Sequence, residues 1–79
     1  MRSPDFSPPP PADLKAFGVA AASRRRELGM TIEQLAEASG VTRQTIGNIE
    51  NGHKGPRLDT SYAIAHALRV PLSDLVKVL

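Results

Sequence analysis

The sequence predicts an all-α fold made of five short helices. Three observations support this prediction. Apolar residues recur three and four positions apart in five separate segments, residues that can cap a helix precede most of these segments, and glycine or proline stands at the junctions between them. No heptad pattern persists and no internal repeat is visible, so neither a coiled coil nor a repeat array is predicted.

Length and composition predict a single small domain. The 79 residues are 41% apolar, with no Trp, one Tyr and two Phe, so the core must be mainly aliphatic. A chain of this length hides only about 60% of its unfolded surface and needs efficient packing or a partner. The absence of Cys excludes disulfides and Cys-based zinc sites and fits a reducing cytoplasm. No apolar run reaches the ~18 residues of a membrane span, and the net charge of +2 is weak evidence for any partner.

Residues 1–12 are predicted to form a flexible leader, and residues 13–79 the folded domain. The leader holds five of the seven prolines, including four in a row from Pro8 to Pro11. Such a run favours an extended polyproline conformation and excludes a helix. In the alternative interpretation the leader is an arm that contacts DNA or a protein partner, with Arg2 as its only cation.

The first helix is predicted over residues 13–28. Asp13 can cap its start, and Gly29 can end it in the left-handed conformation. Arg24 or Arg25 falls on or beside the apolar face, where a cation is unfavourable unless its stem is buried and its charged group finds a partner. The apolar face consists of Leu14, Phe17, Ala21 and Leu28.

The second helix has strong start and stop signals. Thr31 and Gln34 can form a capping box, in which each side chain accepts from the backbone of the other, and Met30 and Leu35 stand at the positions of a hydrophobic staple. Gly40 can end the helix. Its apolar face consists of Ile32, Leu35, Ala36 and the small polar Ser39.

The third helix is predicted to begin after Thr42, its cap, and to end at Gly52. Ile46 and Ile49 point inward, and Val41 can pack against Ile46. The opposite, polar stripe consists of Arg43, Gln44, Gly47, Asn48 and Asn51. Because a glycine inside a helix costs about 1 kcal/mol relative to alanine, Gly47 suggests close approach to another surface.

The two remaining helices follow a loop at residues 52–56. The fourth is predicted over residues 59–68 with Asp59 as its cap, and the fifth follows Pro71, which suits the first turn of a helix. The apolar edge of the fourth helix is predicted to be Leu58, Tyr62, Ala65 and Leu68, and that of the fifth Leu72, Leu75, Val76 and Leu79.

Several motifs in order resemble the phage-repressor and Cro type of helix-turn-helix, the lambda-repressor-like family. They are T-I-E-Q-L-A from Thr31, G-V-T-R-Q-T-I from Gly40, I-E-N-G from Ile49 and A-H-A-L-R-V-P-L-S-D-L from Ala65. The resemblance covers about residues 14–78 without an insertion. It implies a five-helix DNA-binding domain, with the helix-turn-helix at helices two and three, that acts as a transcriptional repressor on double-stranded DNA.

The resemblance also implies roles for individual residues. The third helix would enter the major groove and contact bases. Arg25 and Glu50 would form a structural ion pair between the first and third helices. The implied base contacts are Arg43, Gln44, Thr45 and Asn48, and the implied phosphate contacts are Thr31, Arg25, Asn51, Lys54 and Arg57.

Three positions depart from the pattern of the family. Ile32 stands where many relatives have a Gln that helps at the groove, so that contact is expected to be absent. Ser61 stands where relatives often bury Leu, so this corner is expected to pack differently, through Tyr62. Gly47 offers no side chain for base recognition.

Two copies are expected to bind a palindromic operator with half-sites about 34 Å apart, through a homodimer contact that includes Val70, Leu72, Val76 and Leu79. Two alternatives are an antitoxin, which would bind a toxin or other protein partner, and a controller protein of a restriction-modification system. An enzyme is not predicted because no nucleophile, phosphate-binding loop or carboxylate pair is visible. No cofactor is implied, and His53 and His66 are too isolated for a metal site. The expected location is the cytoplasm, in association with the nucleoid.

Overall fold

The computed structural model describes residue 4 and residues 6–79. Five helices follow one another along these residues, and no strand occurs among them. They are α1 (Leu14–Glu27), α2 (Ile32–Ser39), α3 (Arg43–Glu50), α4 (Leu58–Ala67) and α5 (Leu72–Val76). The prediction of an all-α, five-helix fold is confirmed.

Every helix contributes to one apolar core. α1 packs against α3 and α5, α2 against α3 and α4, and α4 against α5. Burial of one Leu or Ile side chain contributes about 1.5–3 kcal/mol, so this cluster is the main source of stability. Apart from one aromatic ring the core is aliphatic, as the composition predicts, and it consists of Phe17, Ala21, Leu35, Ile46, Ile49, Ile64, Ala65, Leu68 and Leu75.

The predicted caps of the first three helices are present. The Asp13 carboxylate accepts from the backbone N–H of Ala16 at 2.9 Å. In the capping box of α2, the Thr31 hydroxyl accepts from Gln34 N at 3.1 Å, and Gln34 Oε1 accepts from Thr31 N at 2.8 Å. Thr42 caps α3 by accepting from the backbone N–H of Thr45 at 3.2 Å. These local hydrogen bonds fix where each helix begins.

The prediction that Asp59 caps α4 is wrong. The helix begins one residue before Asp59, at Leu58, and its N-cap is Arg57, whose side chain makes no capping hydrogen bond. Asp59 therefore lies in the first turn, where its carboxylate accepts from Thr60 N at 2.9 Å. There its negative charge interacts favourably with the helix dipole instead of closing the first turn.

The predicted apolar edge of α4 is confirmed at Ala65 and Leu68, which are buried, and wrong at Leu58 and Tyr62. Leu58 and Tyr62 are 75% and 62% exposed, and Ser61 and Ile64 are buried in their place. Ser61 is tolerated inside because its hydroxyl donates to the carbonyl of Arg57 at 3.0 Å, which satisfies the buried polar group. The expectation that Tyr62 would fill the corner left by Ser61 is also wrong.

Residues 6–12 contain no helix or strand and are exposed. The ring of Phe6 is 86% exposed. The division into a leader of residues 1–12 and a domain of residues 13–79 stays a prediction, and Arg2 lies outside the described residues.

The end of α4 contains a backbone conformation that the sequence does not signal. Arg69 has φ +58°, in the left-handed region that favours glycine. Two hydrogen bonds close the helix around it, from Arg69 N to His66 O and from Val70 N to Ala65 O, both at 3.1 Å. This is a Schellman motif with an arginine at the position where glycine is usual.

Arg69→Gly is expected to raise the free energy of unfolding by about 0.5–1 kcal/mol. The substitution relieves about 1–2 kcal/mol of left-handed strain, and the greater freedom of glycine in the unfolded chain offsets part of that gain. Urea denaturation measures the change. Arg69→Ala, which removes the same side chain but keeps the strain, should show no gain, and an equal gain from both variants would rule out this explanation.

Candidate nucleic-acid interface

A three-residue turn, Gly40 to Thr42, sets the angle between α2 and α3. Gly40 has φ +72° and donates its N–H to Ala36 O at 2.9 Å. The hydroxyl of Ser39 donates to Leu35 O at 2.7 Å and accepts from Val41 N at 3.2 Å, so this side chain spans the turn. The turn is therefore held by hydrogen bonds on both sides, and α3 leaves it in one direction.

α3 has one buried face and one exposed face. Ile46 is fully buried and Ile49 is 3% exposed, and both pack in the core. On the other side Arg43, Gln44 and Thr45 are exposed in the first turn, Gly47 and Asn48 are half-buried, and Asn51 is exposed just after the helix. All of the predicted base-contacting residues thus lie on α3 outside the core.

The first turn of α3 holds two of these side chains through nearby residues. Thr42 Oγ1 donates to the hydroxyl of Thr45 at 2.8 Å. Arg43 reaches back to α2, where its Nε lies 3.1 Å from Oε1 of Glu33 in an ion pair whose side chains are 73% and 59% exposed. The carboxylate of Glu33 on α2 therefore lies beside the guanidinium of Arg43 at the start of α3.

A largely buried ion pair fixes the end of α3 to α1. Arg25 Nε and Nη2 donate to the two carboxylate oxygens of Glu50 at 2.9 and 3.0 Å, and Arg25 Nη1 donates to Met30 O at 2.9 Å. The side chains are 11% and 9% exposed. The structure thus brings together the two residues that the resemblance pairs. Their hydrogen bonds raise the pKa of Arg25 above its usual value, with a further contribution from the charge of Glu33, whereas burial acts in the opposite direction.

Two cations, Lys54 and Arg57, lie beside the exposed face of α3. Lys54 and Arg57, in the loop after the helix, line an open cleft of about 310 Å³ together with Thr45 and Asn48. Arg57 Nη2 also pairs with Asp59 at 3.0 Å, with both side chains exposed. Thr31 is exposed at the start of α2. The predicted phosphate-contacting residues other than Arg25 are therefore accessible to solvent.

The apolar residues predicted for a dimer contact have unequal exposure. Val70, Leu72 and Val76 are half-buried and pack against the core of their own chain. Leu79 is 48% exposed. It lines a mainly apolar cleft of about 200 Å³ together with Leu14, Phe17, Gly55, Pro56, Leu58, Ser61 and Val76.

Two contacts of α1 were missed in the sequence, one with α3 and one with the end of α4. Gly18 is buried against α3, and a Cβ atom placed on it would meet the carbonyl oxygens of Ile49 and Glu50, the latter at 2.6 Å. Its signal was a glycine on the apolar face of α1, four residues after Leu14. Arg24 Nε donates to the carbonyl of Leu68 at 3.0 Å, a contact for which the sequence offers no signal beyond a cation next to the apolar face.

Neither a metal cluster nor a membrane helix is found in the described part of the chain. Residue 4 and residues 6–79 include no group of three or more His, Asp or Glu side chains that could hold a metal ion. None of the helices formed by these residues is long and apolar enough to cross a bilayer.

The geometry of α2, the turn and α3 agrees with a known family. The model of the helix-turn-helix family HTH_3 matches residues 22–75, which is more than half of the chain. The chain belongs to this helix-turn-helix family. The resemblance to the Cro type of helix-turn-helix is therefore confirmed.

Other helix-turn-helix proteins match over much of the chain. An uncharacterised transcriptional regulator of Methanothermobacter thermautotrophicus is 54% identical over 56% of this chain and 64% of its own length. The transcriptional repressor RghR of Bacillus subtilis is 38% identical over 80% of this chain and 47% of its own length. The chain thus spans less than two thirds of the length of these relatives.

Two solved structures of regulatory proteins match over most of their length. The restriction-modification controller protein C.AhdI of Aeromonas hydrophila superposes with a TM-score of 0.78 at 32% identity, over 82% of this chain and 98% of that one. The clp gene regulator ClgR of Corynebacterium glutamicum superposes with a TM-score of 0.76 at 31% identity, over 86% of this chain and 88% of that one.

Proposed function

We propose that this chain is a sequence-specific DNA-binding transcriptional regulator whose α3 enters the major groove. The observation that carries the proposal is the division of α3 into two faces. Ile46 and Ile49 fix the helix in the core, and the side chains at its exposed start can form hydrogen bonds with base edges. Membership of the helix-turn-helix family supports the same reading.

Base recognition is assigned to the first two turns of α3. The guanidinium of Arg43 can donate to the two acceptors of guanine, and the amide of Gln44 can pair with adenine. Thr45 and Asn48 stand beside them and can reach neighbouring bases. Because Gly47 has no side chain and a Cβ there would meet nothing within 4 Å, the helix can approach the floor of the groove at this point.

Phosphate contacts are assigned to the residues around that helix. Thr31, Asn51, Lys54 and Arg57 are exposed, and hydrogen bonds from such side chains to phosphate fix the orientation of a protein on the duplex. In the described part of the chain, three of the five N–H groups of Arg25 donate to Glu50 and Met30. We therefore assign Arg25 mainly to bracing α3, with its two other N–H groups available to a phosphate at the edge.

We propose that the regulator acts as a homodimer on a palindromic operator and represses transcription. Leu79 is the most exposed of the residues assigned to the contact, which also includes Val70, Leu72 and Val76. Two α3 helices related by a two-fold axis would read half-sites about 34 Å apart. Action on chromosomal DNA would place the protein in the cytoplasm, at the nucleoid.

Selection of bound duplexes from a random pool, followed by sequencing, tests the proposed function. We expect a motif made of two inverted half-sites one helical turn apart, with guanine among its fixed positions. A single asymmetric motif would contradict the dimer but not the recognition of DNA. Enrichment of no motif would contradict the proposed function and favour the alternative in which the fold binds a protein partner, such as a toxin.

Arg43→Ala is expected to reduce operator affinity by about 1–3 kcal/mol and to relax the preference at one base position. The reason is the loss of a hydrogen-bonding pair with guanine. Fluorescence anisotropy with the selected duplex and its single-base variants measures both effects. Lys54→Ala is the matched control, since loss of a phosphate contact should weaken binding to all duplexes alike. It should also lower by about 1 the magnitude of the slope of the logarithm of the binding constant against the logarithm of the salt concentration. Unchanged preference in Arg43→Ala would show that α3 is oriented differently.

A second candidate function is favoured by one comparison. The solved controller protein C.AhdI is matched over 98% of its length, whereas the repressor RghR is matched over 47%. A controller of a restriction-modification system would also bind DNA through α3. A reporter gene placed behind the selected operator distinguishes the two, because a pure repressor only lowers expression.

A further inference from the structure

We infer that Glu33 is a positioning residue that holds Arg43 for base recognition and thereby increases the discrimination between operator and unrelated DNA. The inference rests on the proposed function, since it assumes that Arg43 contacts a base. It assigns a role to an acidic residue that faces the proposed interface and does not itself bind DNA.

The ion pair between Glu33 and Arg43 is too exposed to be explained by stability. The two side chains are 59% and 73% exposed, and an ion pair in water has little effect on folding because solvent screens it. By contrast, the Arg25–Glu50 pair is 11% and 9% exposed and connects two helices at the core. A role at the surface, where DNA would lie, accounts for the position of Glu33 better than a role in the fold.

The atoms of the pair leave the terminal end of the Arg43 guanidinium available. Glu33 Oε1 lies 3.1 Å from Nε of Arg43. In the exposed pairs of Arg24 and Arg57, the carboxylate instead lies against Nη1 or Nη2. Recognition of guanine through two hydrogen bonds needs two adjacent N–H groups. Contact at Nε keeps Nη1 and Nη2 free for the base while it limits the rotation of a long side chain.

The charge of Glu33 also disfavours binding without base recognition. On an unrelated sequence Arg43 would gain most by turning to a phosphate, which would remove it from Glu33 and leave the carboxylate unneutralised next to the DNA backbone. Two like charges at short range repel, and this repulsion falls with added salt. The charge of Glu33 also contributes to the raised pKa of Arg25, so its field reaches a second cation.

The test compares Glu33→Gln with Glu37→Gln in the full chain. Glu37 is an exposed acidic residue one turn later on α2, so its variant removes the same charge from the same helix. Dissociation constants are measured for the selected duplex, for the same duplex with the guanine assigned to Arg43 replaced by adenine, and for an unrelated duplex. Circular dichroism establishes that each variant is folded, and Arg43→Ala with and without Glu33→Gln completes the cycle.

We expect Glu33→Gln to reduce discrimination between guanine and adenine by about two- to fivefold, a factor that follows from the interaction free energy of an exposed ion pair. Binding to the unrelated duplex should become stronger by a similar factor. Both changes should shrink in high salt. Glu37→Gln should leave discrimination unchanged, and in the Arg43→Ala background Glu33→Gln should have no further effect on it.

Two results would overturn the inference in distinguishable ways. In the first result, Arg43→Ala abolishes the preference for guanine, but Glu33→Gln changes this preference no more than Glu37→Gln does. Glu33 then has no positioning role, and the proposed function stands. If Arg43→Ala itself keeps the preference, the proposed orientation of α3 fails together with the role of Glu33.

Discussion

Glu50→Ala is expected to lower the free energy of unfolding by about 3 kcal/mol, at the lower end of the range for a broken buried ion pair because solvent still reaches its edge. Without the carboxylate, the guanidinium of Arg25, whose side chain is 11% exposed, keeps its charge and loses two hydrogen bonds. In a small domain whose total stability is about 5 kcal/mol or somewhat more, this is a large fraction. The melting temperature should fall by about 10–20 °C, as measured by circular dichroism.

A double variant separates the net contribution of the pair from the effect of leaving one charge unpaired. Arg25→Met with Glu50→Leu removes both charges and keeps apolar volume, so it should be less destabilised than either single variant. A loss below about 1 kcal/mol for Glu50→Ala, the value for an exposed pair, would show that Arg25 turns to solvent.

Gly18→Ala is expected to lower the free energy of unfolding by about 1–3 kcal/mol, although alanine is the better helix former. The added Cβ would meet backbone carbonyls of Ile49 and Glu50, and backbone cannot move aside as a flexible side chain can. α1 and α3 would have to separate, which also lengthens the hydrogen bonds between Arg25 and Glu50. Chemical denaturation of the purified variant measures the change.

Gly47→Ala provides the matched comparison, because it makes the same change inside a helix where a Cβ would meet nothing within 4 Å. It should raise the free energy of unfolding by about 1 kcal/mol, so the two variants should differ by about 2–4 kcal/mol. Equal effects at the two positions would contradict the close packing of α1 on α3. If α3 lies deep in the major groove, Gly47→Ala should bind DNA more weakly even though it is more stable.

Local signals in the sequence predict the helices and the two faces of α3. Capping by Asp13, Thr31 and Thr42 depends on residues within three positions of each other, so spacing alone reveals it. Ile46 and Ile49 are the apolar residues within α3 itself, and no competing arrangement of its faces exists.

Contacts between helices escape such local reasoning. The sequence favours Leu58 and Tyr62 as part of the inward side of α4 because they are large and apolar, yet the structure exposes both and buries Ser61 instead. The ion pair of Arg43 with Glu33 depends on the angle at the turn, which spacing does not give. Arg25 and Glu50 are 25 residues apart in the sequence, so local spacing does not predict their ion pair. The resemblance to the family predicts it.

The packing of α1 against α5 has a consequence for how the protein folds during synthesis. Contacts of α2 with α3 and α4 link segments that are near in sequence, so they can form early. The backbone N–H of Asp13 donates to the carbonyl of Leu79 at 3.3 Å. Because α1 is synthesised before α5, one of the two helices that α1 packs against does not yet exist when α1 leaves the ribosome. Until α5 has been made, part of the apolar face of α1 stays exposed to solvent, and the packing of α5 on α1 completes the core.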